Sequence, residues 1–126
     1  MNELIKQRIE HAQTIIEILH EVVDDIEAVA NTIINAFEQG GTLFVAGNGG
    51  SAAQAIHICE ELTGRYRETR PALPAICLCS DAAAITCIAN DFGWEEVFRR
   101  QLEAHAAWTM DEDEVVSCHD VLLVLS

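Results

Sequence analysis

Thr42-Leu43-Phe44-Val45-Ala46-Gly47-Asn48-Gly49-Gly50-Ser51 leads without a break into Ala52 to Leu62. Thr42 to Ala46 is short, apolar and rich in residues that suit a strand, Gly47 to Ser51 is a glycine turn, and Ala52 to Leu62 has the composition of a helix. The reading is strand, glycine loop, helix. The pattern recurs downstream, where Ala75-Ile76-Cys77-Leu78-Cys79 passes through Ser80-Asp81 into a helical stretch from Ala82 to Ala89. Trp94 to His105 predicts a third amphipathic helix with Val97, Phe98 and Leu102 on its inner face. Val121-Leu122-Leu123-Val124-Leu125 is apolar at every position, as a strand covered on both faces of a parallel sheet would be. Strands alternating with helices predict an α/β fold: a parallel sheet of about three strands, incomplete, flanked by helices.

Upstream of the strand, Ile5, Ile9, Ala12, Ile16, Leu19, Val23, Ile26, Ala30, Ile33 and Phe37 recur in alternating steps of four and three, which is a helical stripe. Ile15, Ile18, Val22, Val29 and Ile34 form a second row. A stripe this wide needs more than one partner, so part of it is expected to face another subunit. Asp24-Asp25 are poor inside a helix and good N-caps, and Gly40-Gly41 is a stop, so two helices with a break near Asp24 are expected. The domain organisation follows: residues 1–40 as a helical segment for oligomerisation, and residues 41–126 as the first part of the α/β domain.

Composition narrows the class. The chain has 126 residues with 7 basic and 21 acidic side chains, a net charge of −14, and half of its residues are hydrophobic. A core is within reach and disorder is excluded as the main state. No basic stripe exists to grip a phosphate backbone, so nucleic acid is not an expected partner. Five cysteines make an odd set without metal-knuckle spacing, four of them among aliphatic or small residues like ordinary core residues, which suggests a reducing compartment. The N-terminus carries spaced charges and no stretch approaches the length of a membrane span, so the expected location is the cytoplasm, with no membrane partner.

Several residues can carry chemistry. Glycines in Gly47-Asn48-Gly49-Gly50-Ser51 allow backbone N–H groups to approach an anion, and the Ser51 hydroxyl can either cap the helix or bind a phosphate oxygen. The loop lacks a P-loop lysine and dinucleotide-type glycine spacing. His57 and Glu61 are four apart on the following helix, so they share a face and can share a metal ion or a substrate proton, while Glu60 is expected to point elsewhere. Arg65, Arg67 and Arg70 reverse the local charge, which suits an anionic sugar phosphate or neutralises Glu60, Glu61 and Glu68 equally well. Asn90-Asp91-Phe92-Gly93 can hydrogen-bond sugar hydroxyls or serve only as a turn. Asp111-Glu112-Asp113-Glu114 reads as a solvated loop without function. In open parallel sheets the ligand lies past the strand ends, and Ser126 follows a strand directly, so the expectation is one part of a longer protein.

Taken together and in order, Gly47-Asn48-Gly49-Gly50-Ser51, His57 with Glu61 in Glu60-Glu61-Leu62-Thr63-Gly64-Arg65-Tyr66-Arg67-Glu68, Arg70-Pro71, Asn90-Asp91-Phe92-Gly93 and Asp120-Val121-Leu122-Leu123 resemble the phosphoheptose isomerases of the sugar-isomerase (SIS) family. The resemblance implies a homotetramer that interconverts sedoheptulose 7-phosphate and D-glycero-D-manno-heptose 7-phosphate, a precursor of the nucleotide-activated heptose of bacterial surface glycans. It implies Glu61 as the catalytic base and His57 with Glu61 as ligands of one zinc per subunit. Asn48, Gly49, Gly50, Ser51, Arg65, Asn90, Asp91 and Ser126 would contact the sugar phosphate. The family continues past the position of Ser126 with a phosphate loop and a late helix whose Gln and His complete the metal site, so residues 1–126 alone are not expected to catalyse. Ala106 to His119 is longer than the family's link, and His119 stands where a glycine is usual. The alternative is the family's non-enzymatic adaptor, which binds the bacterial replication initiator; the presence of Glu61 favours the enzyme.

Overall fold

The computed structural model describes residues 1–106, the backbone of Met110–Asp111 and Glu114–Val115, and residues 119–126. Contacts divide the chain into two units, Met1–Thr32 and Ile33–Ser126. The first holds α1 (Asn2–Ile18), a single 3-10 turn (Leu19–Val22) and the start of α2 (Val23–Glu38). The break therefore falls before Asp24. The chain keeps right-handed helical angles at Leu19 and Val23, so no residue there takes the extended conformation that an N-cap needs. Asp24 and Asp25 lie instead in the first turn of α2, where carboxylates oppose the positive end of the helix dipole. No residue of α1 is buried, and Leu4, Ile5, Ile9, Ile15, Ile16, Ile18, Leu19, Val22 and Ile26 are exposed.

The stop at Gly40-Gly41 is as expected. Gly40 takes φ +79°, its N–H donates to Phe37 O at 3.1 Å, and Gly41 N–H donates to Ala36 O at 2.8 Å, which closes the end of α2. A side chain on Gly41 would put its Cβ 2.1 Å from His119 O, so the position has room for glycine alone.

The second unit is built on β1 (Leu43–Gly47), buried along its whole length. β2 (Ala75–Cys77) pairs with it in parallel on one side. Between them in the chain lies α3 (Gly50–Thr63); after β2 come α4 (Ala82–Phe92), a 3-10 turn (Trp94–Glu96) and α5 (Val97–His105). Met110–Asp111 (β3) and Glu114–Val115 (β4) pair antiparallel, so part of the acidic stretch expected as plain loop is a short ribbon; its remaining residues, and Cys118, lie outside the described residues. β5 (Val121–Leu125) completes a three-stranded parallel sheet in the order β2-β1-β5.

Strand residues alternate between faces, and β1 uses both. Leu43 and Val45 pack with Ala55 and Cys59 of α3 and with Ile33, Phe37 and Val121, while Phe44 and Ala46 pack with Leu78, Ile76, Phe98 and Leu102. The inner face expected for the third helix, Val97, Phe98 and Leu102, does meet the core. Gln101, also buried there, donates from Nε2 to Leu78 O at 3.0 Å and to Val97 O at 2.9 Å, so its amide nitrogen is paired. β5 departs from expectation. Val121, Leu123 and Leu125 are half-buried, but Leu122 and Val124 on its other face are 44% and 63% exposed, because no second layer covers that face among the described residues. Cys87 is likewise an exception to the core reading of the cysteines, being exposed on α4. Among the described residues no helix is long and apolar enough to cross a membrane.

Candidate functional site

Three parallel strands deliver their C-terminal ends to one edge of the sheet. Gly47 of β1 is in register with Leu125 of β5, so Ser126 leaves the sheet beside Asn48. On the other side, Leu78 N–H donates to Val45 O at 2.9 Å, which brings Cys79 level with Gly47. The Cys79 thiol donates to Gly47 O at 3.1 Å and accepts from Gly47 N–H at 3.3 Å, fixing the last residue of the strand before the glycine loop. Burial raises the pKa of this thiol, which keeps it protonated and able to donate. The Cys59 thiol on the buried face of α3 has its pKa pushed up to about 12, chiefly by burial.

The loop itself turns on two glycines. A Cβ on Gly47 would lie 2.9 Å from Ser51 Cβ, so the strand end and helix start approach as closely as backbone allows. Gly49 takes φ +56° and is the N-cap of α3, without a side-chain cap bond. Ser51 therefore sits inside the first turn and is not the cap, which leaves its hydroxyl for other work. A cavity of about 150 Å³ opens against the loop, lined by Gly47, Asn48, Gly49, Cys79, Trp94 and Phe98 among others.

The helix that this loop opens carries the titratable groups. His57 Nε2 lies 3.1 Å from Glu61 Oε1, with the imidazole 70% and the carboxylate 28% exposed. Glu60 does not point elsewhere. One ligand atom each of His57, Glu60 and Glu61 lies within 4.8 Å of the others. The correction is geometric: positions three and four along a helix from His57 are both its neighbours, so two adjacent glutamates can each reach it.

The arginines divide. Among the described residues none pairs with Glu60, Glu61 or Glu68. Arg65 Nη1 donates to Thr69 Oγ1 at 3.2 Å, and Arg67 stacks 5.0 Å over the Tyr66 ring, so both present charge at the surface. Arg70 is spent on backbone carbonyls of α3.

With this geometry in place the comparisons with known proteins are specific. The SIS domain pattern matches residues 9–126. The chain belongs to the SIS domain family. A phosphoheptose isomerase from Haemophilus ducreyi is 54% identical over 79 residues, 63% of this chain and 40% of that protein. A phosphoheptose isomerase from Geobacter is 40% identical over 107 residues, 85% of this chain and 56% of that protein. Among solved structures, a phosphoheptose isomerase from Francisella tularensis superposes with TM-score 0.83 at 30% identity, covering 98% of this chain and 60% of that one. Phosphoheptose isomerase GmhA from Neisseria gonorrhoeae gives 0.79 at 28% identity, covering 99% of this chain and 59% of that one. The chain thus spans roughly half the length of the relatives it matches.

Within this SIS domain the expected site residues fall into groups. Asn48, Gly49, Gly50, Ser51 and Ser126 gather at one sheet edge, and His57 and Glu61 share one helix face. Asn90 and Asp91 stand at the end of α4, where Asn90 Nδ2 donates to Asp91 Oδ1 at 2.7 Å; no hydrogen bond links them to the loop among the described residues. Sequence reasoning missed Cys79 and Trp94. The signal for Cys79 was its place just past the strand in step with Gly47, and that for Trp94 was an aromatic one residue after the Gly93 turn.

Proposed function

We propose that the intact protein is an aldose-ketose isomerase that interconverts sedoheptulose 7-phosphate and D-glycero-D-manno-heptose 7-phosphate, in the supply of activated heptose for bacterial surface glycans. The observation that carries this reading is the His57–Glu61 contact of 3.1 Å, on a helix opened by a glycine loop at the sheet edge. The identity of the relatives supports it, as each of those compared is a phosphoheptose isomerase. Nothing comparable favours the adaptor reading.

The isomerisation moves one proton between C1 and C2. Glu61, as a carboxylate, takes the proton from the carbon next to the carbonyl; the C–H electron pair becomes the C=C of an enediol, and the carbonyl oxygen gains a proton. Return of the proton to the other carbon, with loss of the O–H proton from the hydroxyl on the carbon first deprotonated, turns that hydroxyl into the new carbonyl and completes the exchange without any change in total oxidation state. Asn48, Gly49 and Gly50 offer backbone and amide hydrogen bonds to the sugar, Ser51 and Ser126 hydroxyls to the phosphate, Arg65 a positive charge, and Asn90 and Asp91 partners for the sugar hydroxyls.

The donors fit zinc. Ligand bonds of about 2.0–2.2 Å at tetrahedral angles place neighbouring ligand atoms about 3.3–3.6 Å apart, and the His57 Nε2 to Glu61 Oε1 separation of 3.1 Å is close to that edge. Bound there, zinc supplies the positive charge that polarises a substrate carbonyl or orders the site. Zinc takes three or four ligands, so this pair is a partial set completed from elsewhere in the intact protein. A carboxylate that ligates a cation is a weaker base, so Glu61 would do its two jobs at different moments.

The reading includes a cytoplasmic homotetramer. Its support is the exposed apolar surface of α1 and the 3-10 turn, larger than a soluble monomer ordinarily tolerates, and residues 1–40 would form the contact between subunits. The metal is tested directly. The intact protein should retain zinc through dialysis, and His57→Ala should lose it; absence of metal, with stability and activity indifferent to added zinc, would return His57 to a substrate-contacting role.

A further inference from the structure

The last turn of α3 carries Glu60 and Glu61, and helix ends leave four carbonyls without partners from the helix itself. Two side chains reach them, Thr63 from within the helix and Arg70 from the loop beyond it. Glu60 O accepts from Gly64 N–H at 2.8 Å and from Thr63 Oγ1 at 3.3 Å. Glu61 O accepts from Arg70 Nη2 at 2.7 Å, and Leu62 O accepts from Arg70 Nη1 at 2.9 Å and from Leu73 N–H at 3.0 Å. The same Nη1 donates to Pro71 O at 2.9 Å, so the guanidinium is tied both to its own loop and to the helix end.

Two of these bonds come from one planar fork, whose direction is fixed once both are made. The fork also places a positive charge at the negative end of the α3 dipole. Neither Arg65 nor Arg67 can substitute, because Arg65 is engaged with Thr69 and Arg67 with Tyr66. Gly64, the cap residue, has φ −88° and ψ −108°, outside the left-handed geometry that closes many helices, so the end of α3 lacks the usual glycine closure. The side-chain clamp stands in its place.

We propose that Arg70 is a positioning residue: by holding the backbone carbonyls of Glu61 and Leu62, it sets where the Glu61 carboxylate stands relative to His57. This rests on the reading of His57 and Glu61 as the metal and proton-transfer pair. The hydrogen bonds of the Arg70 guanidinium all go to main-chain oxygens, those of Glu61, Leu62 and Pro71. Without the clamp the last turn of α3 frays, the Glu61 backbone moves, and the spacing to His57 spreads over a range of values.

The test compares the intact protein with Arg70→Gln, which removes the fork, and Arg70→Lys, which keeps the charge but makes one bond at a time. Asp81→Ala is the control, since Asp81 Oδ1 accepts from Ala83 and Ala84 N–H as the N-cap of α4, and its loss lowers stability without touching α3. Zinc affinity is the first readout. Partners that orient a metal ligand typically contribute 10- to 100-fold, so Arg70→Gln should bind zinc about 10- to 100-fold more weakly, Arg70→Lys should fall between, and Asp81→Ala should match wild type. Amide hydrogen exchange is the second. Glu61 to Gly64 should exchange faster in Arg70→Gln than in wild type, with β1 unchanged.

Arg70→Gln with zinc affinity within twofold of wild type and unaltered exchange at Glu61 to Gly64 would overturn the proposal. Equal weakening by Asp81→Ala would also overturn it, since the effect would then be global. If wild type binds no zinc, the metal reading of the site fails, and the exchange at Glu61 to Gly64 decides Arg70 by itself. If Arg70→Gln does not fold, Arg70→Lys decides: intermediate affinity supports positioning and wild-type affinity refutes it.

Discussion

Glu61→Gln in the intact protein should lower turnover of sedoheptulose 7-phosphate by about 10²- to 10⁴-fold, the usual contribution of a well-placed general base. The amide keeps the size of the side chain and can still meet His57, which lies 3.1 Å away, but it cannot accept a proton from carbon. The Michaelis constant should change far less than turnover, because the groups expected to hold the sugar phosphate are the glycine loop, Arg65, Asn90, Asp91 and Ser126, none of which the substitution alters. Glu60→Gln is not a neutral comparison, since the Glu60 carboxylate shares the cluster with His57 and Glu61. Glu103, exposed on α5 and ion-paired with Arg99, is the better one: Glu103→Gln should leave turnover unchanged. Steady-state kinetics on purified variants checks all three. Wild-type turnover in Glu61→Gln would remove it as the base.

The largest effect on folding is expected at Phe44. It is fully buried in the middle of the central strand, packed with Ala46, Leu78, Ile76, Phe98 and Leu102. Phe44→Ala removes most of a ring from that layer and leaves a cavity that its neighbours fill only in part, at a cost of about 3–5 kcal/mol. Domains are commonly stable by only about 5–15 kcal/mol, so the variant should lie near or past the edge of folding. Denaturant titration measures the shift in midpoint. A loss below about 1 kcal/mol would mean that this face of β1 is not the packed layer described.

How far the sequence carried can be judged residue by residue. The alternation of apolar strands with helices located the sheet, and the five residues of β1, buried without exception, explain why that stretch was so informative. Gly40-Gly41 stopped α2 as glycine pairs do, through a positive φ that other residues avoid. Asp24-Asp25 marked the break between two helices, which falls at Leu19–Val22, but not the cap, because capping preference is a local tendency that yields where the chain remains helical through the preceding turn. β5 misled in another way: apolarity at Leu122 and Val124 says that a face is suited to burial, not which layer covers it.

The site was legible where spacing alone fixes geometry. His57 and Glu61 meet because four residues make about one helical turn, and Glu60 joins them because three residues do nearly as well. Arg70 was not legible. Charge arithmetic looks for carboxylates as partners of arginine, whereas its partners are the main-chain oxygens of Glu61 and Leu62, which every residue possesses and no sequence pattern marks. Cys79 escaped for the same reason, since both of its bonds go to the backbone of Gly47.

The most direct measurement is to incubate the intact protein with sedoheptulose 7-phosphate in deuterium oxide and follow the sugar by NMR. The account predicts formation of D-glycero-D-manno-heptose 7-phosphate with solvent deuterium entering at C1 or C2, and loss of both signals in Glu61→Gln. A folded, zinc-supplemented intact protein that forms no aldose and exchanges no carbon-bound hydrogen would contradict it.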